Sequence, residues 1–156
     1  MQGKSVPQIE VARSATLRYM GQPMSIRLPA STVERLGDQA ALVRMAPRTL
    51  AQRYVEEGLR MDEHPLVRFV EGPAGRRARL VGTASDVWEV IAAVKDNDGD
   101  IAQTAAHLQL SRGLVQAAVA YYGAFVDEID DWIERNDHEA THARDAWLAG
   151  QAALRR

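Results

Sequence analysis

MSIRLPASTVERL (24–36) decides how the front of this chain is read. Met24, Ile26 and Leu28 alternate with Ser25 and Arg27, the period of a half-buried β-strand. Pro29 stops the alternation, and Ser31 with Glu34 three residues on reads as a capping box that opens a helix. A lone strand of this length cannot satisfy its own backbone donors and acceptors. No second strand pattern follows before His64, so the missing strand must come from elsewhere.

Val33, Leu36, Ala40 and Val43 predict one face of a helix, the triplet MAP at 45–47 breaks it, and Pro47 opens a second helix carrying Leu50, Tyr54, Val55 and Leu59. One strand and two short helices hold too little apolar surface to close a core alone. Two copies would pair strand with strand as a homodimer and pack four helices around the ribbon. The outer face would then present Ser25 and Arg27 twice about a two-fold axis, on a shape that fits the DNA major groove. A ribbon that only dimerises is the plainer alternative.

MSIRLPASTVERLGDQAALVRMAPRTLAQRYVEEGLRM (24–61) resembles a ribbon-helix-helix DNA-binding domain of the kind found in bacterial antitoxins. The resemblance implies that Ser25 and Arg27 read base edges of operator DNA. It also implies that Pro47, Arg48 and Thr49 lie at a phosphate, where free N–H groups and the helix dipole suit an anion.

The composition agrees with a soluble protein. Of 156 residues 46% are hydrophobic and 26% charged, and there is no cysteine, which removes disulfides, thiolate metal sites and cysteine nucleophiles. The first twenty residues lack the apolar core of a signal peptide, and no window approaches a membrane span, so a cytoplasmic protein with no membrane partner is expected. The net charge of −2 hides an asymmetry: residues 1–60 carry nine basic and five acidic side chains, residues 100–156 five and nine. A basic front and an acidic back suggest two surfaces with two kinds of partner, although short windows also vary by chance.

Beyond His64-Pro65, LVRFV (66–70) and RARLVG (77–82) flank EGPAGR and predict a β-hairpin. Thr83 or Ser85 can cap a helix through DVWEVIAAVK. IAQTAAHL, a turn at QLS and RGLVQAAVAYYGAF then have helix-turn-helix proportions. A long helix starts near Asp127, with Ile129, Ile133, Ala140, Ala143 and Trp147 recurring at about the helical period. The expected fold is mainly α with short β. It comprises a flexible arm (1–23), a ribbon-helix-helix domain (24–61), a hairpin plus helix-turn-helix-like domain (64–136) and a C-terminal helical extension (137–156).

The GPAGRRA turn, the GTASDVWE run and the YY…EIDDWI end make residues 64–136 similar to a domain of long-unassigned function in small bacterial proteins. Members are regarded as VapB-like antitoxins encoded beside PIN-type ribonuclease toxins, so the resemblance implies a toxin partner. Arg76, Arg77 and Arg79 cluster at the hairpin tip as a possible anion or DNA contact, a solvated hairpin being the alternative. Arg112, with Ser111 and Gln116, would be the polar reader of the second helix-turn-helix, but its surroundings are acidic. Trp147 lies beyond the recognised domain and suits a partner anchor. By analogy with antitoxins, Arg155 and Arg156 could reach carboxylates in a toxin's active site. His138 and His142 are spaced i, i+4, yet no third histidine or cysteine stands near, and nothing in the chain reads as catalytic, metal-bound or cofactor-dependent. The expected function is that of a type II antitoxin that represses its own operon. The alternative is a dimeric transcription regulator without a toxin, whose back half oligomerises or makes a second DNA contact. A third reading is a structural protein whose ribbon only dimerises.

Overall fold

The computed structural model describes residues 24–155, which fall into two units divided after Pro47. They are mainly helical, with one small antiparallel sheet. The arm expected at 1–23 lies outside the described residues.

In the first unit, residues 24–29 form no strand within the single chain, and α1 (Ala30–Leu42) follows. The cap differs from expectation. Pro29 is the N-cap, its carbonyl accepting from the Thr32 and Val33 N–H groups at 3.0 and 3.1 Å, so Ser31 lies inside the helix and makes no cap bond. Pro29 has φ fixed at −57° and an extended ψ of 146°, as an N-cap does, so the helix starts two residues earlier than a Ser31 cap would allow. At the other end Arg44 takes the left-handed conformation (φ 53°), and the Met45 N–H donates to the Ala40 carbonyl at 2.9 Å in the manner of a Schellman closure. Of the face predicted from Val33, Leu36, Ala40 and Val43, only Ala40 is buried.

The second unit begins within α2 (Pro47–Glu63) and continues through β1 (Val67–Val70) and β2 (Arg77–Leu80). Four helices follow: α3 (Val87–Asp96), α4 (Ile101–Leu108), α5 (Arg112–Ala124) and α6 (Val126–Leu154). The hairpin pairs Val67 with Leu80 and Phe69 with Ala78, so alternation puts these four on the core face and Arg77 and Arg79 on the other. They close a core with Val87, Val90, Ile91, Ala105, Val115, Ala118, Tyr121 and Ile129. Each large apolar side chain fully buried here contributes about 2 kcal/mol.

The two glycines of the EGPAGR turn close it on each other, and Gly75 is the one whose backbone requires glycine. Gly72 and Gly75 bond each other's backbone at 3.1 and 2.9 Å, and Gly75 has φ +116°. A Cβ on Gly72 would strike the Arg77 guanidinium.

The cap of α3 also differs from expectation: it is Asp86, whose N–H donates to Glu89 Oε2 at 2.8 Å. Thr83 is used otherwise. Its hydroxyl donates to the Leu80 carbonyl and accepts from the Ser85 N–H, which shapes the connector. Asp100 caps α4 by accepting from Ala102 and Gln103, and Ser111 caps α5 by accepting from Leu114. Between them Gln109 is left-handed (φ 55°) and the Leu110 N–H closes on the Ala105 carbonyl at 2.9 Å. The short helix, tight turn and longer helix of a helix-turn-helix are therefore present. Gln109 is exposed, so Gln109→Gly relieves the left-handed strain without losing packing. Its urea midpoint should correspond to a gain of about 0.5 kcal/mol.

Candidate nucleic-acid interface

Ser25 and Arg27 are exposed in the single chain, but so are the apolar residues that alternate with them. Met24, Ile26 and Leu28 show 75%, 58% and 44% of their surfaces. An alternating segment with both faces in water has no packing to hold it, and among the described residues its apolar face has no cover.

Pro47, Arg48 and Thr49 form the exposed first turn of α2. Ala46 before them has no side-chain oxygen to cap the helix, and no acidic residue lies in the first turn. The Arg48, Thr49 and Leu50 N–H groups are the ones that a helix start leaves without intrahelical partners. This is a positive end carrying an arginine, with nothing anionic of its own.

The hairpin arginines are placed otherwise than as a free patch. Arg76 holds Glu57 of α2 in a two-pronged pair, Nε to Oε1 at 2.5 Å and Nη2 to Oε2 at 2.6 Å. Glu57 is buried, and its hydrogen bonds are the main reason that the Arg76 pKa is raised. Arg77 and Arg79 both donate through Nε to the carboxylate of Asp86, Arg79 at 2.7 Å. Asp86 is 2% exposed, and a carboxylate so buried must be paired. The three cations expected as an anion or DNA contact are each paired with a carboxylate of this chain, and they pin the hairpin to α2 and α3.

Arg112 is exposed at the start of α5, with no ion pair among the described residues. Trp147 is 63% exposed on α6, Arg155 ends that helix, and Arg156 lies outside the described residues. His138 Nε2 stands 3.8 Å from Glu134 Oε1, both in solvent. Among the described residues no group of three or more His, Asp or Glu is arranged to hold a metal ion, and no helix is long and apolar enough to cross a membrane.

One cluster gave no sequence signal. Arg60 of α2 donates to Glu128 Oε2 at 2.5 Å and to the Tyr121 hydroxyl at 3.1 Å, with its guanidinium 4.2 Å from the Phe125 ring centre. The His64 ring meets Tyr121 and Phe125 edge-on at 5.1 and 5.9 Å. Burial lowers the Arg60 pKa, but the bonds from Glu128 and Tyr121 outweigh it and the net direction is up. The partners lie 61 and 68 residues away, beyond any local pattern.

Burial, with Glu128 adding to it, pushes the Tyr121 hydroxyl up to about 12. Between the ordinary tyrosine value near 10 and this one, the unfolded chain releases a proton that the folded chain keeps. Stability is therefore lost as pH rises across that window, and Tyr121→Phe should flatten the loss. In an absorbance titration of the folded protein, one of its four tyrosines should ionise near pH 12. Arg60→Ala leaves Glu128 and Tyr121 without their cation. With the pair partly solvated, it should cost about 2 kcal/mol in urea unfolding.

Compared with known proteins, the chain matches no family model, no curated protein and no solved structure.

Proposed function

We propose that this chain is a DNA-binding dimer that represses its own operon and serves as the antitoxin of a PIN-like ribonuclease toxin. The observation that carries the DNA half of this reading is the MSIRL segment, whose apolar alternation is left exposed in the single chain. A second copy of the same segment is its natural cover. Two such strands pair antiparallel, bury Met24, Ile26 and Leu28 of each copy, and satisfy each other's backbone. The exposed Val33, Leu42 and Val43 around α1, and Tyr54, Val55 and Leu59 on α2, supply further apolar surface for a dimer.

On that ribbon Arg27 is the base reader, since a guanidinium can bond guanine O6 and N7 together, and Ser25 stands beside it. Arg48, Thr49 and the free N–H groups of α2 hold a phosphate, which fixes register without reading sequence. The toxin half rests on the resemblance of residues 64–136 to antitoxin domains. The long exposed end of α6, with Trp147 as anchor and Arg155 and Arg156 beyond it, is the surface offered to that partner.

The second reading, a dimeric regulator without a toxin, is favoured by one observation. The core of residues 67–133 is closed within the chain and needs no partner to complete it, while Arg112 and Gln116 of α5 face solvent.

Arg27→Ala should weaken operator binding by about 10- to 100-fold in a shift assay while the dimer persists, as expected for one base-reading pair. Equal affinity for parent and variant would remove Arg27 as the reader. Arg48→Ala should instead weaken binding to all sequences and lower the slope of log affinity against log salt by about one. Purification from native cells tests the toxin. A stoichiometric nuclease-like protein that arrests growth when expressed alone supports the antitoxin, and recovery of only the chain and DNA supports the plain regulator.

A further inference from the structure

α6 outruns the domain it belongs to. Ile129 is buried in the core and Ile133 packs against it, but every residue from Glu134 to Arg155 is exposed except Gln151, which is half-buried. About 30 Å of helix therefore extends without a packed face. Helices in proteins draw most of their stability from tertiary packing, so such a segment invites a partner.

The pattern along it is a heptad seam. Ile129, Ile133, Asn136, Ala140, Ala143, Trp147, Gly150 and Leu154 follow one another at alternating steps of four and three. The first two are used by the core. The rest continue the same stripe into solvent, with Trp147 and Leu154 at 63% and 83% exposure. Gly150 is costly inside a helix, and a Cβ there would meet nothing within the single chain. A second backbone approaching closely gives that glycine a purpose.

Charge selects the occupant and its direction. Residues 134–145 carry four acidic and two basic side chains, whereas residues 146–156 carry two arginines and no acid. The segment is complementary to itself when reversed, and the helix dipoles also favour that arrangement. Centred on Asp145, an antiparallel pair sets Trp147 against Ala143 of the second copy, Ala140 against Gly150, and Leu154 against Asn136. Large side chains then meet small ones, and the end that carries the two arginines lies along the stretch of the second copy that holds Glu134, Asp137 and Glu139 together with Arg135. A parallel pair would stack Trp147 on Trp147 and acid on acid. It would also force two folded domains together at one end, because Ile129 and Ile133 of the same stripe already lie in each copy's own core.

We propose that the free half of α6 pairs antiparallel with the same segment of a second copy, giving the chain a self-association surface separate from the ribbon. It covers Trp147 when no toxin is bound, and it does not depend on the toxin or DNA reading. A dimer through each surface would link copies beyond two, or close one pair at both ends.

Sedimentation of the full chain and five variants tests it at micromolar concentration. Ile26→Glu, which disrupts the ribbon, should remain dimeric through α6, and Ile26→Glu with Trp147→Glu should be monomeric with unchanged helicity. Ala143→Glu on the seam should act like Trp147→Glu, and Asp145→Ala on the opposite face should have no effect. A monomeric Ile26→Glu protein, or a double variant that stays dimeric, overturns the pairing. If Trp147→Glu alone is monomeric, the pairing stands and the ribbon dimer falls. The chain has no cysteine of its own, so direction is testable by oxidation in the Ile26→Glu background. Asn136→Cys and Leu154→Cys proteins should cross-link when mixed and not alone, and Leu154→Cys joining to itself would overturn the antiparallel arrangement.

Discussion

Asp86 is the residue on which the back half depends. Its carboxylate is almost wholly buried and accepts from Arg77 and Arg79 of β2, while its own N–H begins α3 through Glu89. A charge removed from water survives only if paired, and two guanidiniums from one strand meet that need. The same strand sends Ala78 and Leu80 the other way into the core. The spacing between hairpin and helix is thus set twice, by apolar contact on one face of β2 and by ion pairing on the other.

α2 divides its surface in a comparable manner. Leu50 and Glu57 are buried, Arg53 stands 4.0 Å from Glu71, and Arg60 reaches Glu128 and Tyr121, all at helical spacing along one side. Tyr54, Val55 and Leu59, on the remaining surface, are left open. Arginine suits the first side because its guanidinium can lie over a ring while its N–H groups reach a carboxylate, as Arg60 does with Phe125 and Glu128. The helix whose first turn offers free N–H groups is therefore anchored near its last turn by a polar cluster with demanding geometry. An Arg-to-Lys change there would lose the guanidinium that lies over the Phe125 ring.

Two segments stand apart from the packing of the described residues. Among these residues MSIRL has no neighbouring strand and the outer half of α6 has no facing helix. Between them the core from Val67 to Ile133 is complete. The incomplete parts carry the residues with the clearest means of meeting another molecule: Arg27 with its fork of donors, and Trp147 with its exposed indole.

The local periodicities were legible from the residues alone. The hairpin, its glycine turn and the six helices of the described residues follow from alternation, helical spacing, and the prolines and glycines that interrupt them, because these signals depend only on neighbours along the chain. The exchange of caps was not legible, since Thr83 and Ser85 are good caps in isolation and lose to a neighbour that is also held by two arginines. Nor could the arginine cluster be read correctly. Its charges are visible in EGPAGRRAR, but the carboxylates that neutralise them lie on α2 and at the start of α3, brought there only by folding. The sequence by itself determined where the chain turns and which faces are apolar. Tertiary structure alone decided which charges are free to act, because pairing depends on distance through space.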